Sequence, residues 1–198
     1  MSKVTAKSEK PTQTRVFELL GRTLYVCNVI ELQLRWMHKR AGGIWTGKTP
    51  AELLQSIKKV VEKKRKKDKS PLGPIGQDLI DAIYTPRNNK DFKTAQKKKL
   101  GVLKVDYKIE SEGRLLKATE KFKKFIETRN YIVHYFARDY NLAEPESCRK
   151  AYDDLKKKCE IIKDAAEFFD EDYNAMKRNL QNFQKKVLQI VKKEYAEA

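Results

Sequence analysis

Cysteine and histidine are scarce, at three (Cys27, Cys148, Cys159) and two (His38, His134) in 198 residues. An odd cysteine count without a CxxC pair argues against a disulfide framework, and so few Cys and His argue against a zinc site, so no metal or other cofactor is expected. Long apolar runs are missing too. Stretches free of Asp, Glu, Lys and Arg reach eight residues, as from Thr23 to Ile30, against roughly 20 for a membrane helix. No membrane association is expected. The start of the chain, MSKVTAKSEKPTQTR, has no apolar stretch behind it, so no secretory signal is read and the expected location is cytoplasmic. Acidic residues are outnumbered, 27 against 44 basic ones, which leaves a net charge of +17. Charge of that sign and size attracts polyanions, and nucleic acid is the default partner.

Glycine and proline are thin and unevenly placed. All eight glycines and five of the six prolines precede Leu115, and after Arg114 the only breaker is Pro145. The back half therefore reads as helix. Val16, Leu20, Thr23, Cys27, Ile30, Leu34 and Met37 alternate steps of three and four, which puts them on one face of a helix from about Thr12 to Arg40, ended by Ala41-Gly42-Gly43. Thr49-Pro50-Ala51-Glu52 is a capping box with proline at the first helical position, so a second helix starts there. SPLGPIG reads as a loop and Gln77 to Tyr84 as a short helix. From Pro86 to Gly113 the pattern is weak, with KVDYKI the only hint of a strand pair.

The three-four spacing returns at Leu115, Thr119, Phe122, Ile126, Arg129, Val133 and Phe136, in a helix reaching about Asp139. It returns again from Cys148 through Tyr152, Leu155, Cys159, Ile162 and Ala166 to Phe169, and resumes from Tyr173 to Ile190. The triplet Asp170-Glu171-Asp172 either breaks this last stretch or sits on its exposed side. With no βαβ alternation and no solenoid period, the fold class is all α, a helical bundle. Residues 1–11 are expected to form a flexible tail and 12–198 a single helical domain in which 86–113 is a basic loop or small appendage.

Two charges stand on apolar faces. Arg129 lies within the stripe of Phe122, Ile126, Val133 and Phe136, and Glu31 lies near Leu20, Leu24 and Cys27 on the first helix. Burying an unpaired guanidinium costs several kcal/mol, so Arg129 needs a carboxylate, a phosphate or a cleft, and pairing it with Glu31 resolves both burials. A snorkelling arginine in a purely structural ion pair is the bland alternative. Asn130 and His134 are four residues apart and flank Arg129, so a cation and a titratable imidazole look into one region.

The segment Arg129-Asn130-Tyr131-Ile132-Val133-His134 resembles the R-x4-6-H motif of the HEPN (higher eukaryotes and prokaryotes nucleotide-binding) domain, an all-α family rich in metal-independent RNases. The early helix, with Cys27-Asn28-Val29-Ile30-Glu31-Leu32-Gln33-Leu34, is similar to the HEPN helix that carries an inward acidic residue. The resemblance covers Thr12 to Arg40 and Arg114 to the carboxyl end. It implies a helical bundle of HEPN type, a metal-independent endoribonuclease of toxin or antiviral defence systems, and a homodimer with a composite active site. It further implies an antitoxin or defence-system partner. The site residues it implies are Arg129, Asn130 and His134, with Glu31 and Tyr135 in support. Where some family members carry His-x-Tyr, here Tyr135 follows His134 directly and Phe136 holds the tyrosine's place, so regulation through that tyrosine is not expected.

The chemistry is plausible on its own terms. RNA carries its nucleophile, the 2'-hydroxyl, so cleavage needs a proton acceptor, a proton donor for the leaving 5'-oxygen and positive charge near the phosphorus. An imidazole exchanges protons near neutral pH, and a guanidinium forks onto two phosphate oxygens. Substrate capture falls to the basic runs, Lys63, Lys64, Arg65, Lys66 and Lys67 in the first and Lys97, Lys98 and Lys99 in the second, through salt-sensitive phosphate contacts. Tyr84, Phe92 and Tyr107 are read as packing locally rather than stacking bases, and Trp36 and Trp45 as core or interface. The rival readings are a non-catalytic nucleic-acid binder or regulatory HEPN relative, and a protein-interaction module built on the stripe from Cys148 to Ile190.

Overall fold

The computed structural model describes residues 12–41, 43–47, 49, 51–52, 55–56, 58–59, 62–63, 71–84, 101–105 and 112–196. Among these the chain is predominantly helical. Helix α1 (Gln13–Arg40) is followed by strand β1 (Gly43–Gly47), α2 (Leu72–Ile83), β2 (Gly101–Val105), α3 (Glu112–His134), the short α4 (Phe136–Asp139) and α5 (Pro145–Ala196). The expected tail at residues 1–11, the basic run Lys64–Lys67, and Phe92, Lys97–Lys99 and Tyr107 lie outside the described residues, as do the side chain of Trp45 and most of the stretch 86–113.

The helices α1, α3 and α5 form the frame. Thr23 meets Cys159, Gln33 meets Asp170 and Trp36 meets Tyr173, so α1 and α5 run parallel at a nearly constant offset. In contrast, Lys121 pairs with Asp164 and Arg114 with Asp172, so α3 runs antiparallel to α5. The apolar stripe of α1 forms the centre. Val16, Thr23, Cys27, Ile30, Leu34 and Met37 are buried, as the spacing predicts. One part of the core joins Val16 to Ile132, Phe136, Cys148, Ala151 and Leu155. The larger part gathers Ile30, Leu34 and Met37 with Leu79 and Ile83 of α2, Phe125 of α3, and Ile162, Phe169 and Met176 of α5. Along α5 the stripe is therefore consumed within the chain as far as Met176, which removes most of the surface a coiled-coil partner would need.

Several expectations need correction. The SPLGPIG segment is not all loop, because α2 begins at Leu72. Pro74 is tolerated in the first turn, where its missing N–H would have no intrahelical acceptor. Gly76 is required by packing: a Cβ there would lie 1.7 Å from Cζ of Phe122 on α3. The third long helix stops at His134 instead of Asp139. Tyr135 leaves the helical conformation with φ −121° and ψ −26°, and its carbonyl accepts from the N–H groups of Arg138 and Asp139 to start α4. Val133, placed on the apolar stripe by spacing, is 45% exposed, because the buried face of α3 runs through Ala118, Phe122, Phe125 and Ile132 instead.

The alternative left open at the acidic triplet resolves to one continuous helix. The acidic triplet does not break α5; Asp170 and Glu171 are exposed while Asp172 is only 3% exposed. Its carboxylate accepts from Arg114 Nη2 at 2.6 Å, from Arg114 Nε at 3.0 Å and from the Tyr84 hydroxyl. Tyr84, read as local packing, is thus the buried link between α2 and α5. The strand lies over Gly101–Val105 and shares only Lys104 and Val105 with the expected KVDYKI. Its antiparallel partner is β1, with Trp45 opposite Leu103 and Gly43 opposite Val105. Of the expected capping box, one half is present: the Glu52 N–H donates to Thr49 Oγ1 at 3.2 Å.

Candidate active site

The predicted residues converge on one side of the bundle. Glu31, Arg35, Ile126, Arg129, Asn130 and His134 line an open cleft of about 560 Å³, closed on the remaining side by Pro71 to Pro74 at the start of α2. The helical repeat brings them there. Glu31 and Arg35 stand one turn apart on α1, and Arg129, Asn130 and His134 occupy the last two turns of the antiparallel α3.

Glu31 is shared between two guanidinium groups. Arg35 holds its Oε1 from Nη2 at 2.7 Å and from Nε at 3.0 Å, while Arg129 Nη2 reaches Oε2 at 3.4 Å. The Arg129 contact is at the long end of hydrogen-bonding distance, so this guanidinium is positioned without being saturated. Its side chain is 30% exposed and a second nitrogen, Nη1, donates to Asn130 Oδ1 at 3.3 Å. One carboxylate is thus held between two guanidinium groups of the cleft. Arg129 also acts inward: its charge pulls the Cys27 thiol down, but burial wins and pushes that thiol up to about 11. The anomalous arginine on the apolar stripe is therefore both paired with Glu31 and open to a cleft.

His134, the last residue of α3, is exposed, with its ring 6.2 Å from that of Tyr135. Tyr135 is 44% exposed, and the Arg138 guanidinium lies 4.8 Å over its ring. It stands beside the cleft rather than in its wall. Phe136 is buried in the core. Val133 and Tyr135, the chain neighbours of His134, are both exposed, at 45% and 44%. On the opposite flank Tyr131 is half-buried under the Lys158 ammonium, 4.0 Å from its ring, and burial raises its phenol pKa, with further contributions from Tyr140.

Of the residues proposed to capture substrate, Lys63 is described and exposed on helical backbone; it does not line the cleft. Sequence reasoning missed Arg35, although its spacing of four from Glu31 is the ordinary signature of a helical ion pair. The α2 wall could not have been found, since its residues were read as a loop. Among the described residues no group of three or more His, Cys, Asp or Glu is placed to hold a metal ion, and no helix is long and apolar enough to cross a membrane. Comparisons with protein-family models, with curated proteins and with solved structures give no match to this chain.

Proposed function

We propose that the chain is a metal-independent endoribonuclease of the HEPN type, acting as a toxin or antiviral defence effector. The observation that carries this reading is the assembly of Arg129, Asn130 and His134 in one open cleft, with Glu31 orienting the arginine. In the reaction the 2'-oxygen attacks the adjacent phosphorus as its proton passes to a base. The bond from phosphorus to the 5'-oxygen breaks as that oxygen takes a proton, giving a 2',3'-cyclic phosphate and a 5'-hydroxyl. His134 exchanges one of these protons. Arg129, loosely held by Glu31, turns onto the phosphate oxygens and stabilises the charge that builds there. Asn130 hydrogen-bonds the phosphate or orients the imidazole.

One imidazole cannot conveniently serve as base and acid in a single step. A second protomer, related by a two-fold axis, supplies the other, and the exposed Val133 and Tyr135 beside His134 are the surface that such a contact would cover.

The decisive assay incubates labelled RNA with the protein in EDTA. Cleavage to a cyclic phosphate is expected, with His134→Ala and Arg129→Ala each losing on the order of 10² or more in rate while the helical signal and RNA affinity persist. Glu31→Gln should cut the rate without weakening RNA binding, because it removes a negative charge from the cleft. Sedimentation should give a dimer. RNA binding without cleavage by the wild type would instead make the chain a non-catalytic binder.

A further inference from the structure

A second concavity, of about 630 Å³, runs along α1 beside the cleft. Its wall is one face of that helix, including Leu32, Trp36, Lys39 and Arg40, completed by Tyr173 from α5. Arg35 lines both this groove and the candidate active site, so the two lie on either side of that residue. The aromatic part is built. Tyr173 meets Trp36 edge-on at 4.9 Å, and the Arg40 guanidinium lies 4.2 Å over the Trp36 ring. Leu32 is 67% exposed on the rim. Across the groove Gln33 donates to Asp170 at 2.8 Å, and Asn174 donates to that carboxylate's other oxygen at 2.8 Å.

We infer that this groove binds the single-stranded RNA segment adjoining the scissile linkage, stacking a base on the Trp36, Arg40 and Tyr173 platform while Lys39 and Arg35 hold phosphates. Flat aromatic and guanidinium surfaces next to fixed cations are the requirement for an unpaired strand, whose bases offer π-faces and whose backbone offers one charge per residue. A duplex hides those faces. An acidic peptide would use the cations and leave the stacked platform unused. The groove rests on the ribonuclease reading only for the identity of the strand and its continuation into the cleft.

The test uses the full chain carrying His134→Ala, so that substrate survives, and a labelled single-stranded RNA oligonucleotide, with single-stranded DNA and duplex RNA of the same length as comparison arms. Lys39→Glu with Arg40→Glu, both at exposed positions, should weaken binding at least about tenfold, through lost stacking at Arg40 and lost charge at Lys39, and lower the salt slope by about 0.7 for the one phosphate that Lys39 no longer neutralises. Lys150→Glu with Lys157→Glu, exposed near the opposite end of the parallel helices, changes the net charge equally and should have a much smaller effect. In a Trp45→Phe background, RNA should quench the remaining Trp36 emission, with duplex quenching less. Single-stranded DNA binding as well as RNA would show that the sugar is not read there; it would leave the stacking site intact. Equal losses from the two charge-reversal pairs, or no response of Trp36 emission, would overturn the inference. The two readings fail separately: a wild type that binds here without cleaving sinks the nuclease, whereas unimpaired cleavage with unchanged KM in the Lys39→Glu, Arg40→Glu form sinks the groove.

Discussion

At the scale of single residues, Cys27 shows how burial and charge compete. The thiol packs in the core while the nearby Arg129 cation favours its ionised form, yet burial dominates and pushes it from 9.0 to about 11. The unfolded chain therefore gives up this proton first as pH rises. The associated stability is fully present below pH 9 and is lost progressively as pH climbs towards 11. Comparing denaturation midpoints of wild type and Cys27→Ala from pH 8 to 11 should show the wild-type advantage shrinking across that window. Native alkylation followed by mass spectrometry should label the half-buried Cys159 before Cys27. The Glu31 and Arg129 pair was legible in the sequence because both charges violated an apolar stripe. Asp172 was not, since within an acidic triplet nothing marks the member that turns inward; only the arrival of Tyr84 and Arg114 in space distinguishes it.

At the scale of elements, glycine separates two demands that look alike in the sequence. Gly21 lies exposed within α1, and a Cβ there meets nothing within 4 Å. Gly21→Ala should stabilise the protein by about 0.5–1 kcal/mol through helix propensity alone. At Gly76 the added carbon would overlap the Phe122 ring, so Gly76→Ala should cost about 1–3 kcal/mol despite the same propensity gain. Urea denaturation of the two variants gives opposite signs if α2 sits on α3 as described. Helix α1 was legible almost to the residue because its periodicity and its Gly-Gly stop agree. The start of α2 was hidden by two prolines and two glycines that normally announce a turn, and the β1–β2 pairing could not be read because its strands lie far apart in the chain with no connecting hairpin signal. That hidden α2 start is one wall of the candidate site, so the walls from α1 and α3 were readable and this one was not.

At the scale of the whole molecule, Asp172 ties together the end of α2, the start of α3 and the middle of α5. Its hydrogen bonds raise the Arg114 pKa, and the same guanidinium reaches Glu171 at 3.0 Å and lies 4.9 Å over the Phe168 ring. Removing Arg114 leaves a buried carboxylate without its counter-ion, so Arg114→Ala should cost about 3 kcal/mol or more. Glu171→Ala, at an exposed site, should cost at most about 1 kcal/mol. Thermal unfolding of the two variants would separate a buried junction from a surface ion pair. The length of α5 has a different effect. Its 52 residues extend over about 78 Å at 1.5 Å each, whereas a compact chain of this size has a radius of gyration of only about 16 Å. Rotational diffusion of a protomer is therefore anisotropic, with spinning about the long axis faster than end-over-end tumbling, and amide vectors parallel to that axis relax differently from those that cross it.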